Sequence, residues 1–376
     1  MFSDTSAAGL AAGIKRWIEC ESPSSDIATL NAMAAMMAGD AKAAGLQATT
    51  HDIGSATGPM IHISNRADGD TREGVLILAH HDTVHPVGTL LKNPARIEDD
   101  RLYGPGSYDM KGGIYLAMAA MAALAKPGST PLPVDLLIVP DEETGSHSSR
   151  PHIEAYAKRA VYTLVCEPAR ANTGACVLAR KGTGMLRLAV KGRPSHAGVQ
   201  HDKGRSAIKE MAHQILALEA MTDYARGVTV SVGTIQGGTV TNTVPEHCSI
   251  VVDFRVPTPE LGEEIVSRMR ALTPVGPDVE LIIDAELNRP PMVASPASEA
   301  LLARAQKVAL ASGFQLDVAP MTGGGSDANF TAALGIPTLD GLGPDGDGAH
   351  TLKEFIQVST LPRRLAFWTQ LLRELD

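Results

Sequence analysis

Hydrophobic positions along the chain fall into short continuous runs set between longer stretches with helical spacing. Ser6 to Glu19 and Asp26 to Ala44 place apolar residues three and four positions apart, the second opening on a capping Asp26 and closing at Gly45. The runs VLILA (75–79), VDLLIV (134–139) and VYTLVC (161–166) are apolar at successive positions, as strands buried on both faces are. The helical patterns KGGIYLAMAAMAALAK and HSSRPHIEAYAKR stand between them. Such alternation predicts an α/β sheet with helices on its faces. From about Val177 the order becomes MLRLAVKG, a helical GRSAIKEMAHQILALEAM, VTVSVGTI, HCSIVVDFRV, a helical PELGEEIVSRMRAL and VELIID. That β-α-β-β-α-β order predicts a ferredoxin-like α+β sandwich inserted into the larger domain. The α/β pattern then resumes with EALLARAQKVALASG, the glycine-rich GGGSDANF and a final amphipathic helix from about Ser359. The expected division is therefore 1–176 and 288–376 for the larger domain and 177–287 for the insertion.

Composition agrees with this plan and narrows the partners. At ~150 residues per domain, 376 residues make two or three domains. The chain is 44% hydrophobic and 20% charged, ordinary for a globular protein, and with only 4% aromatic residues its core must rest on aliphatic packing. Lys and Arg number 33 against 42 Asp and Glu, a net charge of -9 with no long basic stretch, so no nucleic-acid partner is expected. Cys20, Cys166, Cys176 and Cys248 are scattered and are read as reduced thiols. Asp4 comes early, and Lys15 and Arg16 precede any long apolar run, a layout unlike a signal peptide. The longest apolar run, Tyr115 to Ala125, falls short of the ~18 residues a membrane span needs. A soluble, cytoplasmic protein with no membrane partner is expected.

The candidate chemistry sits where the strands end. His80 follows VLILA directly, at the carboxyl end of a buried strand, where open α/β sheets place their ligand sites. Asp82 is two residues on, Asp141, Glu142 and Glu143 follow VDLLIVP, Glu167 follows VYTLVC, and Asp109 lies in the glycine-rich turn LYGPGSYDMKGG. Carboxylates brought together this way repel by on the order of 4 kcal/mol per pair at ~4 Å and an effective dielectric of ~20. Two divalent ions would relieve this, since Asp109, Glu143, Glu167 and a hydroxide balance two charges of +2. With His, Asp and Glu as donors and no thiolate, zinc is the best fit, and manganese or cobalt suit the same set. His350, in the loop DGDGAHTLKEF, is the natural fifth ligand. A single histidine after a strand is most often structural; the companion carboxylates are what favour the metal reading. GLGPDG (341–346) matches a dinucleotide-loop spacing but no helix follows it, GGGSDA lacks a phosphate-loop lysine, and no G-x-S-x-G is present.

The fragments AHHDTVH, GPGSYDMKGG, PDEETGS, VCEPA, GRPSHAG, TNTVPE, DFR, GGGSDA and GAHTLKE occur in this order over roughly residues 10 to 370. In this the chain resembles the dinuclear-zinc exopeptidases and amidohydrolases, the family of glutamate carboxypeptidases, aminoacylases, acetylornithine deacetylases and succinyl-diaminopimelate desuccinylases, and most of all the glutamate carboxypeptidases. The resemblance implies a zinc-exopeptidase (phosphorylase/hydrolase-like) catalytic domain and an inserted lid and dimerisation domain. It implies that Asp109 bridges two Zn2+ ions, with a cis Asp109–Met110 peptide. His80 and Glu167 would complete one ion, and Glu143 and His350 the other. Asp82 would hold the free ring nitrogen of His80, and Glu142 would be the general base, the two adjacent glutamates diverging because they lie on an extended segment. His196 would stabilise the oxyanion in the partner subunit's site, making the protein a homodimer. Asn242, Arg255 and the backbone of Gly324 and Gly325 would bind the substrate's free carboxylate. Arg180, Lys181 and Arg289 receive no role, and His81, His85 and His201 no ligand role. The implied activity is hydrolysis of an amide next to a free carboxylate in a small molecule or peptide, releasing C-terminal glutamate. N-acyl amino acid deacylation or desuccinylation is the alternative, and a catalytically silent dimeric binding module a remote one.

Overall fold

In the computed structural model, which describes residues 2–376, the three continuous apolar runs lie side by side at the centre of a six-stranded sheet. Gly74–His80 runs parallel to Val134–Val139 on one side and to Ala160–Val165 on the other. Every residue of the first two strands is buried, which is why they read as near-continuous apolar runs, with Asp135 paired to Arg66 and His62: both faces of a parallel sheet are covered. The register pairs His80 with Val139 and Leu78 with Val165. The three strands therefore end at one edge, and the segments that follow them emerge together.

Met60–Ser64 and Gln47–His51 extend the sheet antiparallel on one flank, and Thr338–Leu339 adds a parallel strand on the other. Helix Gly112–Ala123 is buried along most of its length and packs against Leu361–Glu374 in one core that also takes in Ala7–Ile18 and Ile27–Ala43. That helix begins in the motif KGG for a steric reason: a Cβ on Gly113 would stand 2.1 Å from the carbonyl oxygen of Cys166. Only glycine lets the helix close on the strand end that carries Glu167. A second, four-stranded sheet of Gly346–Asp347, Phe355–Gln357, Arg101–Tyr103 and Arg96–Glu98 is absent from the sequence reading. Strands of two and three residues are too short to show a period.

The chain divides into two compact units, one comprising residues up to Ala179, Ala294–Thr322 and Ser326–Asp376, the other Arg180–Val293 with Gly323–Gly325. The second unit has Gly182–Lys191, helix Ala207–Glu219, Thr229–Gly237, His247–Val256, helix Pro259–Arg270 and Glu280–Arg289 in chain order. Its sheet order is Glu280–Arg289, Gly182–Lys191, His247–Val256, Thr229–Gly237, antiparallel throughout, which is the ferredoxin-like arrangement. Burial alternates along Gly182–Lys191 and His247–Val256 because one sheet face packs against the helices, whereas the central strands of the first unit are covered on both sides. The protein is thus an α/β unit with an inserted α+β unit. Among the described residues no helix is long and apolar enough to cross a membrane.

Candidate active site

The convergent strand ends and the small sheet bring the predicted ligands of the first unit into one cluster. His80, at the end of the central strand, is 1% exposed. Its Nε2 lies 3.1 Å from Asp109 Oδ1 and 3.8 Å from Glu167 Oε1. His350 Nε2 lies 3.3 Å from Asp109 Oδ2 and 3.3 Å from Glu143 Oε2. Asp109 therefore stands between two imidazoles with one oxygen toward each, one ring accompanied by Glu167 and the other by Glu143. Donor atoms of His80, Asp109 and Glu143 fall within 4.8 Å of one another, as do those of His80, Glu142 and Glu167.

Electrostatics shows a cluster short of positive charge. Burial pushes Glu167 well above the usual glutamate range, and the charges of Asp109 and Glu142 push it further. Burial also raises Glu143. Burial opposes ionisation of Asp109 too, yet hydrogen bonds with His350 and His80 hold its carboxyl well below the usual range. The hydrogen bond to Asp109, followed by that to Glu143, lifts His350 to about 10. For His80, burial works against the charged ring, but hydrogen bonds to Asp109 and Asp82 outweigh it and raise it well above its ordinary value. Carboxyls driven toward protonation beside imidazoles driven toward charge mark a site that gains from added cations. Glu143 Oε1 is buried with no hydrogen-bond partner. These orphaned and crowded oxygens, with two imidazole nitrogens and no thiolate, are donors that fit divalent metal ions.

One detail adds to the sequence reading and another departs from it. The nearest acceptor for His80 Nδ1 is the backbone carbonyl of Asp82 at 2.9 Å, with the Asp82 carboxylate at 3.4 Å. That carboxylate, fully buried, faces His80 and also reaches the next strand end: it accepts the backbone N–H groups of Glu142 and Glu143, each at 3.2 Å, and the Ser24 hydroxyl at 2.7 Å. Glu142 and Glu143 do not lie on an extended segment. They form a single 3-10 turn, Glu142–Thr144, closed by Gly145 and Ser146 at φ of 101° and 55°. In such a turn successive side chains still diverge, by about 120°. The turn is anchored by Asp141 Oδ2, which accepts the N–H groups of Ser148 and Ser149. The Asp109–Met110 peptide is cis. His81 Nε2 meets the carbonyl of Pro59, and burial holds the ring down to about 4.

In the second unit, His196 and Asn242 are brought together: Thr243 bridges to His196, and Ala197 donates its N–H to the Asn242 carbonyl. Both side chains are exposed. Gly198 N–H donates to His196 Nδ1 at 3.1 Å, which leaves the proton of the neutral ring on Nε2. Arg255 turns its Nε and Nη2 edge to Asp253, at 2.8 and 2.7 Å, and donates from Nη1 to the Gly323 carbonyl. Arg180 donates to the Gly324 carbonyl at 3.0 Å. A Cβ on Gly325 would come within 2.8 Å of Arg289 Cδ, so glycine is required for that approach. Arg180, Arg255 and Arg289 thus gather around one three-glycine segment. Sequence reasoning missed Ser24 and the grouping of Arg180 and Arg289, whose partners lie far away along the chain.

Residues 76–374 match the family model for peptidase family M20/M25/M40. The chain is 30% identical over 318 residues to carboxypeptidase G2 of Pseudomonas sp. (strain RS-16), covering 84% of this chain and 77% of that one. It is 27% identical over 307 residues to a succinyl-diaminopimelate desuccinylase of Cupriavidus taiwanensis, covering 76% and 78%. The crystal structure of an M20 family metallo-carboxypeptidase from Sulfolobus solfataricus superposes with a TM-score of 0.75 over 97% of this chain and 98% of that one, at 17% identity.

Proposed function

The chain belongs to peptidase family M20/M25/M40 and is a hydrolytic enzyme of the metallopeptidase and amidohydrolase kind, and from that premise we propose that it releases C-terminal glutamate from peptides or N-acyl glutamates at a dinuclear zinc site. The observation that carries the reading is the position of Asp109, one oxygen facing His80 and the other His350. In this reading His80, Asp109 and Glu167 hold one ion, and His350, Asp109 and Glu143 the other. Bound there, the two ions would lower the pKa of a shared water toward ~7 and polarise the scissile carbonyl.

The chain's own residues do the rest. Glu142, on a turn fixed by Asp82, takes a proton from the attacking water and returns it to the leaving amine nitrogen, so that the carboxylate ends as it began. His196, with its Nε2 proton free to donate, supplies a hydrogen bond to the developing oxyanion of a partner subunit's substrate, which makes the working enzyme a homodimer. Asn242, Arg255 and the Gly325 N–H anchor the substrate's free carboxylate. The arginines gathered at Gly323–Gly325 support this assignment, although Arg255 must share its guanidinium with Asp253. The four free thiols suit a cytoplasmic setting.

The similarity to a desuccinylase favours a second reading, removal of an acyl group from an N-acyl amino acid by the same chemistry. Both are tested by mass spectrometry of amine release from a panel of N-acyl amino acids and dipeptides, with zinc-loaded and chelator-stripped enzyme side by side. Metal-dependent release confined to C-terminal glutamate supports the carboxypeptidase reading. Preference for succinyl or acetyl substrates replaces it with the second.

A further inference from the structure

Glu354 lies four residues beyond His350, at the start of the short strand Phe355–Gln357, and is fully buried. Its Oε1 accepts the backbone N–H groups of Tyr108 and Asp109, both at 2.9 Å. Its Oε2 accepts the N–H of Gly106 at 2.8 Å and lies 2.9 Å from His85 Nε2. Backbone follows the same path, since Gly104 donates to the Glu354 carbonyl and Phe355 pairs with Tyr103. The Gly106–Asp109 segment needs such an acceptor. Gly106 is left-handed at φ 72°, and Asp109 and Met110 leave helical geometry, so these buried N–H groups have no local partner to rely on. One carboxylate thus closes a backbone nest just behind the Asp109 side chain.

We propose that Glu354 is a positioning residue that locks the Asp109 turn to the His350 loop, and that it sets the affinity of one metal ion of the pair far more than that of the other. This rests on the dinuclear reading above. The asymmetry follows from where the ligands are mounted. His80 and Glu167 stand at the ends of adjacent central strands, held by the sheet whatever Glu354 does. His350 is on a loop, 54% exposed and at φ 63°, and its distance to Asp109 depends on the two loops staying in register. Glu354, on the His350 side, ties its carboxylate to the backbone of the Asp109 turn. An amide in its place has one acceptor oxygen for three N–H groups and presents a donor to the remainder. Asp109, shared by both ions, would then shift; the ion at His80 and Glu167 keeps two strand-mounted ligands, whereas the ion at His350 loses the register of Asp109 and of its own loop together and so loses more affinity.

The test is titration of metal-free wild type and Glu354→Gln with Co2+, followed by absorption and by native mass spectrometry. Wild type is expected to bind two ions. In the variant, one binding step should weaken by about 10- to 100-fold, the range for residues that orient metal ligands, while the other stays within about threefold. Glu354→Asp keeps the charge but reaches fewer N–H groups; it should show the same asymmetry in smaller measure, and it serves if Glu354→Gln does not fold. Equal weakening of both steps, or two unchanged steps, in the folded variants would overturn the proposal and leave the dinuclear reading intact. Fewer than two ions on wild type would overturn the dinuclear reading and this inference with it.

Discussion

Replacing Asp82 by Asn probes how the turn that carries Glu142 is held. The carboxylate is fully buried and, besides the His80 ring at 3.4 Å from Oδ1, serves three donors: Glu142 N–H on Oδ1, and Glu143 N–H and the Ser24 hydroxyl on Oδ2. Asparagine offers one oxygen and one NH2 group. Ser24 can rotate to accept from the NH2, but one of the two N–H groups then faces a donor and is left unpaired. A buried unsatisfied donor costs ~1–3 kcal/mol. A unit of this size loses ~2–4 °C of Tm per kcal/mol, so an expected cost of ~2 kcal/mol corresponds to about 4–8 °C. The released turn should also misplace Glu142 and lower kcat by about 10- to 100-fold with little change in KM, as expected when a group needed only in the transition state is misaligned. Ser24→Ala, which leaves both N–H bonds in place, should also lower Tm but keep kcat near the wild-type value. The assays are calorimetric unfolding and steady-state kinetics on zinc-loaded protein. An Asp82→Asn enzyme with Tm within 1 °C of wild type and kcat within twofold would refute the assignment of this carboxylate as the anchor of the turn.

Glu142→Gln should lower kcat by about 10²- to 10⁴-fold with two metal ions still bound by mass spectrometry; loss of metal instead would make Glu142 a ligand. In chelator-stripped protein, His350 is raised from 6.5 to about 10, so its contribution to stability is complete below pH 6.5 and is lost as the pH climbs toward 10. Glu143 and Glu167, raised above the ordinary glutamate value of 4.5, act in the same direction, because the folded state keeps protons that the unfolded chain releases. Asp109 and Asp82 act oppositely, their contributions lost in acid below the ordinary value of 3.8, and so does His81, whose contribution is lost as the pH falls from 6.5 toward 4; none of the three acts between pH 6.5 and 10. The Tm of stripped protein should therefore fall relative to metal-loaded protein between pH 6.5 and 10, less steeply than a buried histidine would give because solvent screens the half-exposed His350; a rising relative Tm over that window would contradict the charge balance described. Gly325→Ala, which brings a methyl group against Arg289 and Thr183, should raise KM several-fold with kcat nearly unchanged, and an unaltered KM would remove Gly325 from the carboxylate anchor.

Much of the chemistry could be read along the chain because it is mounted on strands that declare themselves. A strand covered on both faces is apolar at nearly every position, so VLILA and VDLLIV stand out, the buried Asp135 being paired with Arg66 and His62, and the polar residues just beyond them are already at the sheet edge where sites form. The alternating strands of the inserted unit were legible for the converse reason, one face being packed and the other open. Short two- and three-residue strands carry no such period, so the small sheet that sets the His350 loop beside Asp109 was invisible, and Glu354 with it. The roles of individual atoms were also beyond the sequence. Asp82 follows His80 by two residues and faces its ring, yet its carboxylate also serves Glu142 and Glu143, because register across the parallel strands decides which backbone N–H groups it meets. What the sequence determined by itself is the set of donors and the strands that deliver them; what only the tertiary structure decided is which oxygen faces which nitrogen, since that depends on contacts between segments tens to hundreds of residues apart.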